Sequence, residues 1–275
     1  MLGKEKEVSV DIILTTFNED KSKLKRSINS IINQTFINWT LIIVFEPNDI
    51  NEELLREYSE KFGKIRIFKN LKKMGFVKSL NIGISHSKSK YIARLDSDDE
   101  CLPTRLAKQI NFLENNSEVD ILGSWITLDC SPRKIRKYPE FNNEIKKSFL
   151  LSNAIAHPSV MLRANIFKKY GSYNEYFKFS EDLELWLRYM SNGLKFHNIQ
   201  ETLLLYSIDR REKSREDRIF IFEARKLHNK KVFNLFSASI SLILFWIISL
   251  LPNKLFSIIK RLFALKVGNI HEVKE

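Results

Sequence analysis

With 275 residues, 44% of them apolar and 28% charged, the chain can build one α/β domain with a real core plus an appendage. That composition excludes a largely disordered or fibrous protein. Two cysteines, Cys101 and Cys130, lack a C-x-x-C spacing, which excludes a disulfide framework and fits a reducing cytosolic setting. The formal charge of +12 leaves three partner classes: nucleic acid, an anionic membrane surface, or phosphate-rich small molecules.

The first seven residues lack the apolar run of a signal peptide, so the chain is expected to begin in the cytosol. Val8 to Leu14 is a short apolar run rich in β-branched residues and reads as a buried strand. Lys21 to Ile32 carries Leu24, Ile28, Ile31 and Ile32 at helical spacing. Trp39 to Phe45 is a second strand, Glu53 to Phe62 a helix, and Ile65 to Phe68 a third strand. Gly75 to His86 places Val77, Leu80 and Ile84 on one helical stripe, and Tyr91 to Leu95 is a fourth strand ending in an acidic turn. Pro103 opens a helix with Leu106, Ile110 and Leu113 on its stripe. This alternation predicts an α/β fold with a mostly parallel central sheet flanked by helices. In such sheets ligands collect beyond the carboxyl ends of the strands. Three polar segments fall there: Thr15–Glu19, Glu46–Asp49 and Asp96–Glu100. Farther on, Val119 to Leu128 reads as a strand, Glu181 to Met190 as a helix, and Leu203 to Tyr206 as a last strand.

The strongest local signal is Asp96-Ser97-Asp98-Asp99 directly after a strand. Packed carboxylates repel one another unless a cation or hydrogen-bond donors offset the charge. Hard oxygen ligands suit Mg²⁺ or Mn²⁺, which also bind phosphate oxygens. The plainer alternative is an acidic turn capping the next helix. A second signal is Ser180-Glu181-Asp182, opening the helix that holds Trp186. Acidic residues in a first turn commonly complement the helix dipole, but a carboxylate there is also placed to act as a general base in a crevice.

From Val8 to about Ser214 the chain resembles the family-2 inverting glycosyltransferases of the GT-A nucleotide-diphospho-sugar transferase fold. The pieces come in order. They are Thr15-Thr16-Phe17-Asn18-Glu19, Ser27 to Thr35, Gly75 to Asn81, Leu95 to Asp99, His157-Pro158-Ser159-Val160, and Ser180 to Arg188. The resemblance implies that Thr15, Phe17 and Glu19 belong to the first nucleotide-contacting segment. It places Lys78 and Asn81 toward base and phosphates, and Asp96 and Asp98 at a metal-and-diphosphate motif in which Asp98 is the direct ligand. Asp99 would support the turn, Asp182 would be the catalytic base, and Glu181 its neighbour on the acceptor side. His157 is either part of the site or a satisfied structural group. The implied donor is a nucleotide-diphosphate sugar, by family default a UDP-sugar, and the implied acceptor a glycan or lipid-linked hydroxyl in polysaccharide synthesis. The implied cofactor is Mn²⁺ or Mg²⁺.

Two places depart from the family pattern. Its carboxylate pair after the second strand is replaced by Phe45-Glu46-Pro47-Asn48, where Glu46 would keep one contact to the base. Its Arg and His after Tyr206 are absent. Arg210, Arg211 or Lys213 would supply that charge, or the stretch is a solvated basic loop.

The composition changes after about residue 215, which divides the chain into a catalytic region, 1–214, and a helical appendage, 215–275. Within the former, the donor half runs to about residue 115 and the acceptor half follows. Between Arg210 and Lys231, nine Lys/Arg stand against four Asp/Glu. An uncharged stretch, Leu235 to Leu251, follows, then Pro252-Asn253, then a basic amphipathic pattern over Lys254 to Val267. As a helix of 17 residues, the uncharged stretch is about 26 Å long, short of a bilayer core of about 30 Å. These features favour peripheral or monotopic attachment to the cytoplasmic face of an anionic membrane, with Leu235, Ile240, Leu244 and Phe245 buried in lipid. A single span, or a helix packed on the domain, are the alternatives. No nucleic-acid motif or interleaved aromatics accompany the basic run. Transfer to a polyprenyl phosphate, and a membrane-bound nucleotide-binding scaffold without turnover, are the competing functions.

Overall fold

The computed structural model describes residues 8–208, 214–253, 255 and 270–272. The first part of the chain follows the predicted alternation. It comprises β1 (Val10–Thr16), α1 (Lys21–Ile32), β2 (Trp39–Phe45), α2 (Glu52–Lys61), β3 (Ile65–Lys69), α3 (Phe76–Ser85) and β4 (Tyr91–Asp96). β1 is buried along its whole length, and β2 at all but Thr40, because helices cover both faces of the sheet. The order β3-β2-β1-β4 is parallel throughout, with Thr16 opposite Phe45 and Thr15 opposite Asp96. The carboxyl ends of β1, β2 and β4 therefore lie side by side, with the order reversing at β1. Asp20 caps α1 by accepting from the Ser22 and Lys23 amides, which fixes the loop after β1.

The next part comprises β5 (Glu100–Cys101), α4 (Arg105–Asn115), β6 (Ile121–Asp129), β7 (Lys134–Arg136), α5 (Asn142–Ser148), a 3₁₀ turn (His157–Ser159), β8 (Met161–Arg163), α6 (Asn165–Tyr170), α7 (Glu181–Ser191) and β9 (Phe196–Ser207). β8 pairs antiparallel with both β4 and β6, and β7 antiparallel with β6. The described ten-stranded sheet is mixed: its longer pairings, β1 with β2 and β4, β2 with β3, and β6 with β9, are parallel as expected, and its short strands add the antiparallel ones. β8 is three residues long, too short for its sequence to display a period, and it reverses the sense of the sheet. Both cysteines are free, as their spacing suggested.

The chain continues through α8 (Arg215–Val232), α9 (Leu235–Leu250) and β10 (Ile270–Glu272), which pairs antiparallel with β7. Ser214 and Asp217 form a capping box at the start of α8. α8 packs on α7, and Ala224 and Val232 join the core around Trp186. α9 lies on α8 and turns Ala238, Ser241, Phe245 and Ser249 inward. Phe245, expected among lipid-facing residues, is instead buried under the Arg225 guanidinium, 3.9 Å from its ring centroid. No helix among the described residues is long and apolar enough to cross a membrane. The basic pattern over Lys254 to Val267 lies outside the described residues, apart from Leu255.

Because α9 docks through Phe245, Phe245→Ala should lower unfolding free energy by about 2–3 kcal/mol, below the full cost of a central core Phe. Urea denaturation checks this, and an unchanged midpoint would mean that α9 contributes nothing to the fold.

Candidate active site

The end of β4 gathers the acidic turn. Asp96 Oδ1 accepts from Arg94, which is buried behind it with its guanidinium 5.3 Å from the Phe76 ring centroid. The Asp96 carbonyl accepts from Ser27 Oγ at 3.0 Å, tying the turn to α1. Asp98 is half-buried, and Lys23 Nζ stands 3.9 Å from its Oδ2. Burial, and then the Asp96 charge, push the Asp98 carboxyl above its ordinary range. Asp99 is fully buried and accepts the Ser207 amide at 2.7 Å, which pins the end of β9 to the turn. Burial above all pushes it up to about 9, and its Oδ2 has no hydrogen-bond partner. The support role expected of Asp99 matches this geometry. The chain passes out of the described region after Ile208, so Arg210, Arg211 and Lys213 lie outside the described residues.

This turn suits a divalent cation. It holds hard oxygen donors with excess negative charge, raised carboxyls and an orphaned carboxylate oxygen. Among the described residues, no group of three or more potential ligands is arranged to hold a metal ion unaided. Two carboxylates completed by a ligand's phosphate oxygens is a common arrangement for Mg²⁺.

The loop after β1 forms one wall. Glu19 Oε2 accepts from Ser97 Oγ at 3.3 Å, and its carbonyl accepts from Asn51 Nδ2 at 2.8 Å. Phe17 is 43% exposed, with Lys73 Nζ 4.9 Å from its ring centroid, so an aromatic surface is available there for stacking. The Thr15 and Thr16 hydroxyls are buried without partners.

Two residues expected at the nucleotide are engaged elsewhere. Glu46 accepts the Met74 amide at 2.9 Å and the Gly75 amide at 2.6 Å, so its carboxylate caps the N-terminus of α3. Asn81 donates to the Tyr173 carbonyl at 2.9 Å and accepts the Tyr173 amide at 3.1 Å. Both side chains thus tie backbone groups of neighbouring segments together. Lys78 remains at the surface, 3.5 Å from Glu175.

Opposite, α7 brings Glu181 and Asp182. Asp182 Oδ1 accepts the Leu183 amide at 2.7 Å, and Oδ2 accepts from Asn153 Nδ2 at 2.7 Å. Glu181 is buried, its Oε1 4.0 Å from His157 Nδ1. Burial and the Asp182 charge push Glu181 up to about 8, and Asp96 adds to the shift. Asp96 contributes to the Glu181 shift through its charge, so the end of β4 and the start of α7 lie within electrostatic range of each other. His157 Nε2 is 2.6 Å from Tyr173 Oη, and burial holds the imidazole well below its ordinary range, so it is neutral. Tyr173 thus links α3, through Asn81, to the start of α7.

Sequence reasoning missed Arg94, Lys23, Asn153 and Ser207. A charge inside the buried run of β4 was the one legible sign, and it marked Arg94. Asn153 lies in a loop without periodicity.

Glycosyl transferase family 2 matches residues 11–171. An uncharacterized glycosyltransferase of Methanocaldococcus jannaschii is 36% identical over 245 residues, which span 85% of this chain and 84% of its own. The chain belongs to glycosyl transferase family 2. The O-antigen biosynthesis glycosyltransferase WbnJ of Escherichia coli is 33% identical over 207 residues, covering 72% of this chain and 79% of its own. The family-2 fold is also that of S. aureus TarS. The TarS 1–349 structure in complex with UDP-GlcNAc superposes with a TM-score of 0.68 at 17% identity, over 87% of this chain and 72% of that one. Against a longer TarS chain, the match spans 40% of that chain. The mixed sheet with its parallel donor half is therefore the GT-A arrangement, and this family-2 chain is a glycosyltransferase.

Two expectations follow for this transferase. Asn153→Ala removes the hydrogen bond to Asp182 Oδ2 and, with Asp182 as the expected base, should lower kcat by about tenfold with little change in donor KM, since misorientation acts on the chemical step. Unchanged kcat would deny Asn153 a positioning role. For Glu181, the raised carboxyl means that the folded state holds a proton which the unfolded state releases above its ordinary value of 4.5. Stability then falls as pH rises from about 4.5 to about 8, by at most about 1.4 kcal/mol per pH unit. Glu181→Gln should flatten that slope. A wild-type slope retained in the variant would show Glu181 to be ionised throughout.

Proposed function

We propose that this glycosyltransferase moves a sugar from a nucleoside-diphosphate donor, a UDP-sugar by preference, to a hydroxyl of a glycan or lipid-linked acceptor, with inversion, in polysaccharide assembly. The observation that supports the reading is the Asp96–Asp98 turn at the carboxyl end of parallel strand β4, within electrostatic range of the first turn of α7, which carries Glu181 and Asp182. The UDP-GlcNAc complex of TarS supports a UDP-sugar. An E. coli relative, 30% identical over 170 residues, is named UDP-Gal:alpha-D-GlcNAc-diphosphoundecaprenol beta-1,3-galactosyltransferase, which supports a lipid-linked acceptor. A cytoplasmic membrane face is the matching setting.

In this reading Asp98, with Asp96, would hold Mn²⁺ or Mg²⁺ beside the donor diphosphate. The cation would supply positive charge opposite the departing diphosphate. Phe17 offers its exposed ring to the base. Arg94 holds Asp96 in place, and Lys23 adds positive charge beside Asp98. Asp182 accepts the acceptor hydroxyl proton as that oxygen bonds to the anomeric carbon. The anomeric bond to the donor phosphate oxygen breaks on the opposite face, and the diphosphate leaves with the electron pair. A single displacement inverts the centre. Early-time proton NMR of the product tests this: an α-linked donor should give the β-anomer first. First formation of the α-anomer would exclude the single displacement.

A further inference from the structure

α9 is amphipathic in the reverse sense. Apart from Phe245, its inner face is small or polar: Ser241 donates to the Leu150 carbonyl at 2.7 Å and accepts from Asn229 at 3.1 Å. Two buried arginines of α8 bind it in place. Arg225 donates to the Phe149 and Leu150 carbonyls and lies over Phe245. Arg218 donates to the Ile248 carbonyl at 3.2 Å and the Leu251 carbonyl at 2.7 Å, satisfying carbonyls at the end of α9. The outer face is apolar. Phe236, Ile240, Ile243, Trp246, Ile247 and Leu250 are 46% to 77% exposed. Their spacing makes one continuous stripe along about 24 Å of helix. Monomeric soluble proteins rarely show such a stripe to water.

The sequence around this stripe is mainly basic, although Glu216, Asp217 and Glu223 stand in the first half of α8. From Ala224 to His271 the sequence holds eight Lys/Arg and no Asp or Glu. Lys226, Lys230 and Lys231 are exposed on the adjoining α8. A second copy would bring the same cations face to face, each chain carrying +12. An anionic bilayer answers both features, because acyl chains accept the stripe and headgroups accept the lysines.

We propose that the outer face of α9 is a lipid-docking surface. It lies flat in the headgroup region of an anionic membrane and is held rigidly to the catalytic core by Arg218 and Arg225. The rigid mounting fixes how the crevice faces the membrane, unlike an anchor on a flexible linker. This surface stands apart from the transfer chemistry: vesicle flotation and donor turnover read different parts of the chain, so either can fail alone.

The test is flotation of the full chain with vesicles of phosphatidylcholine containing phosphatidylglycerol, and with pure phosphatidylcholine. Wild type should float with the anionic vesicles and be only partly released by high salt. Ile243→Gln with Trp246→Gln should weaken partitioning roughly 30-fold while leaving the melting temperature unchanged, since two half-exposed apolar side chains lose their lipid burial. Neutralising Lys226, Lys230 and Lys231 to Gln should weaken it about 100-fold at low salt, and this variant carries the test if the first aggregates. The proposal is overturned if wild type does not float, or if both variants float as wild type does. It is overturned equally if sedimentation shows a wild-type dimer that the α9 variant dissociates, with no flotation, which would assign the face to a second copy.

Discussion

Replacing Asp182 by Asn should leave donor affinity unchanged and lower transfer by about 10²- to 10⁴-fold, the usual contribution of a general base. The carboxylate sits in the first turn of α7 and accepts from Leu183 and Asn153. Those bonds, together with α7 packed through the fully buried Trp186, fix its position. An amide has nearly the same shape and can keep the Leu183 contact, but it cannot take the acceptor proton. Donor binding is read by calorimetry and transfer by product formation. Near-normal transfer by the variant would remove Asp182 from the chemistry.

The second large effect is at the other station. Asp98→Ala, or a chelator with wild type, should weaken UDP binding by about 100-fold, because a cation opposite a diphosphate supplies several kcal/mol of charge stabilisation. Lys23, 3.9 Å from Asp98, is a single screened cation and cannot offset Asp96, Asp98 and a diphosphate together. Asp98→Ala also relieves repulsion with Asp96, so it should fold at least as stably as wild type, and lost binding would not reflect unfolding. Equal UDP affinity with and without chelator, and in the variant, would exclude a metal at this turn.

Most of the donor half was legible because its physics is local. β1, β2 and β4 are buried on both faces and read as largely apolar runs, and α1, α3 and α4 carry their core residues at helical spacing. What escaped depended on partners distant in sequence. The three-residue β7 and β8 are too short to show a period, and they turn the sheet from parallel to mixed. Arg105 is fully buried in α4, donating to the Arg94 carbonyl, where hydropathy predicts only apolar neighbours. α8 carries charge around most of its circumference, so it read as a basic stretch.

The site was legible in outline only. Asp96 and Asp98 lie at the end of β4, and Glu181 and Asp182 in the first turn of α7, within electrostatic range of that strand end. Glu46 and Asn81 have the right residue types at the right distance along the chain, yet their polar atoms are taken by backbone groups of Met74, Gly75 and Tyr173. Residue type and order cannot reveal which hydrogen-bonding partner wins. The same limit misplaced Phe245: an all-apolar stretch does not say which face turns inward, and the deciding partners, Arg218 and Arg225, sit one helix earlier.

The central claim is turnover of a nucleotide sugar by a metal-assisted site with Asp182 as base. The most direct measurement is donor hydrolysis across a panel of nucleotide sugars with Mn²⁺ or Mg²⁺, for wild type and Asp182→Asn in parallel. The account predicts that wild type cleaves at least one UDP-sugar, that chelation stops it, and that the variant binds the same donor without cleaving it. Binding of UDP-sugars by wild type without cleavage of any donor in the panel would contradict the account and mark the chain as a nucleotide-binding scaffold.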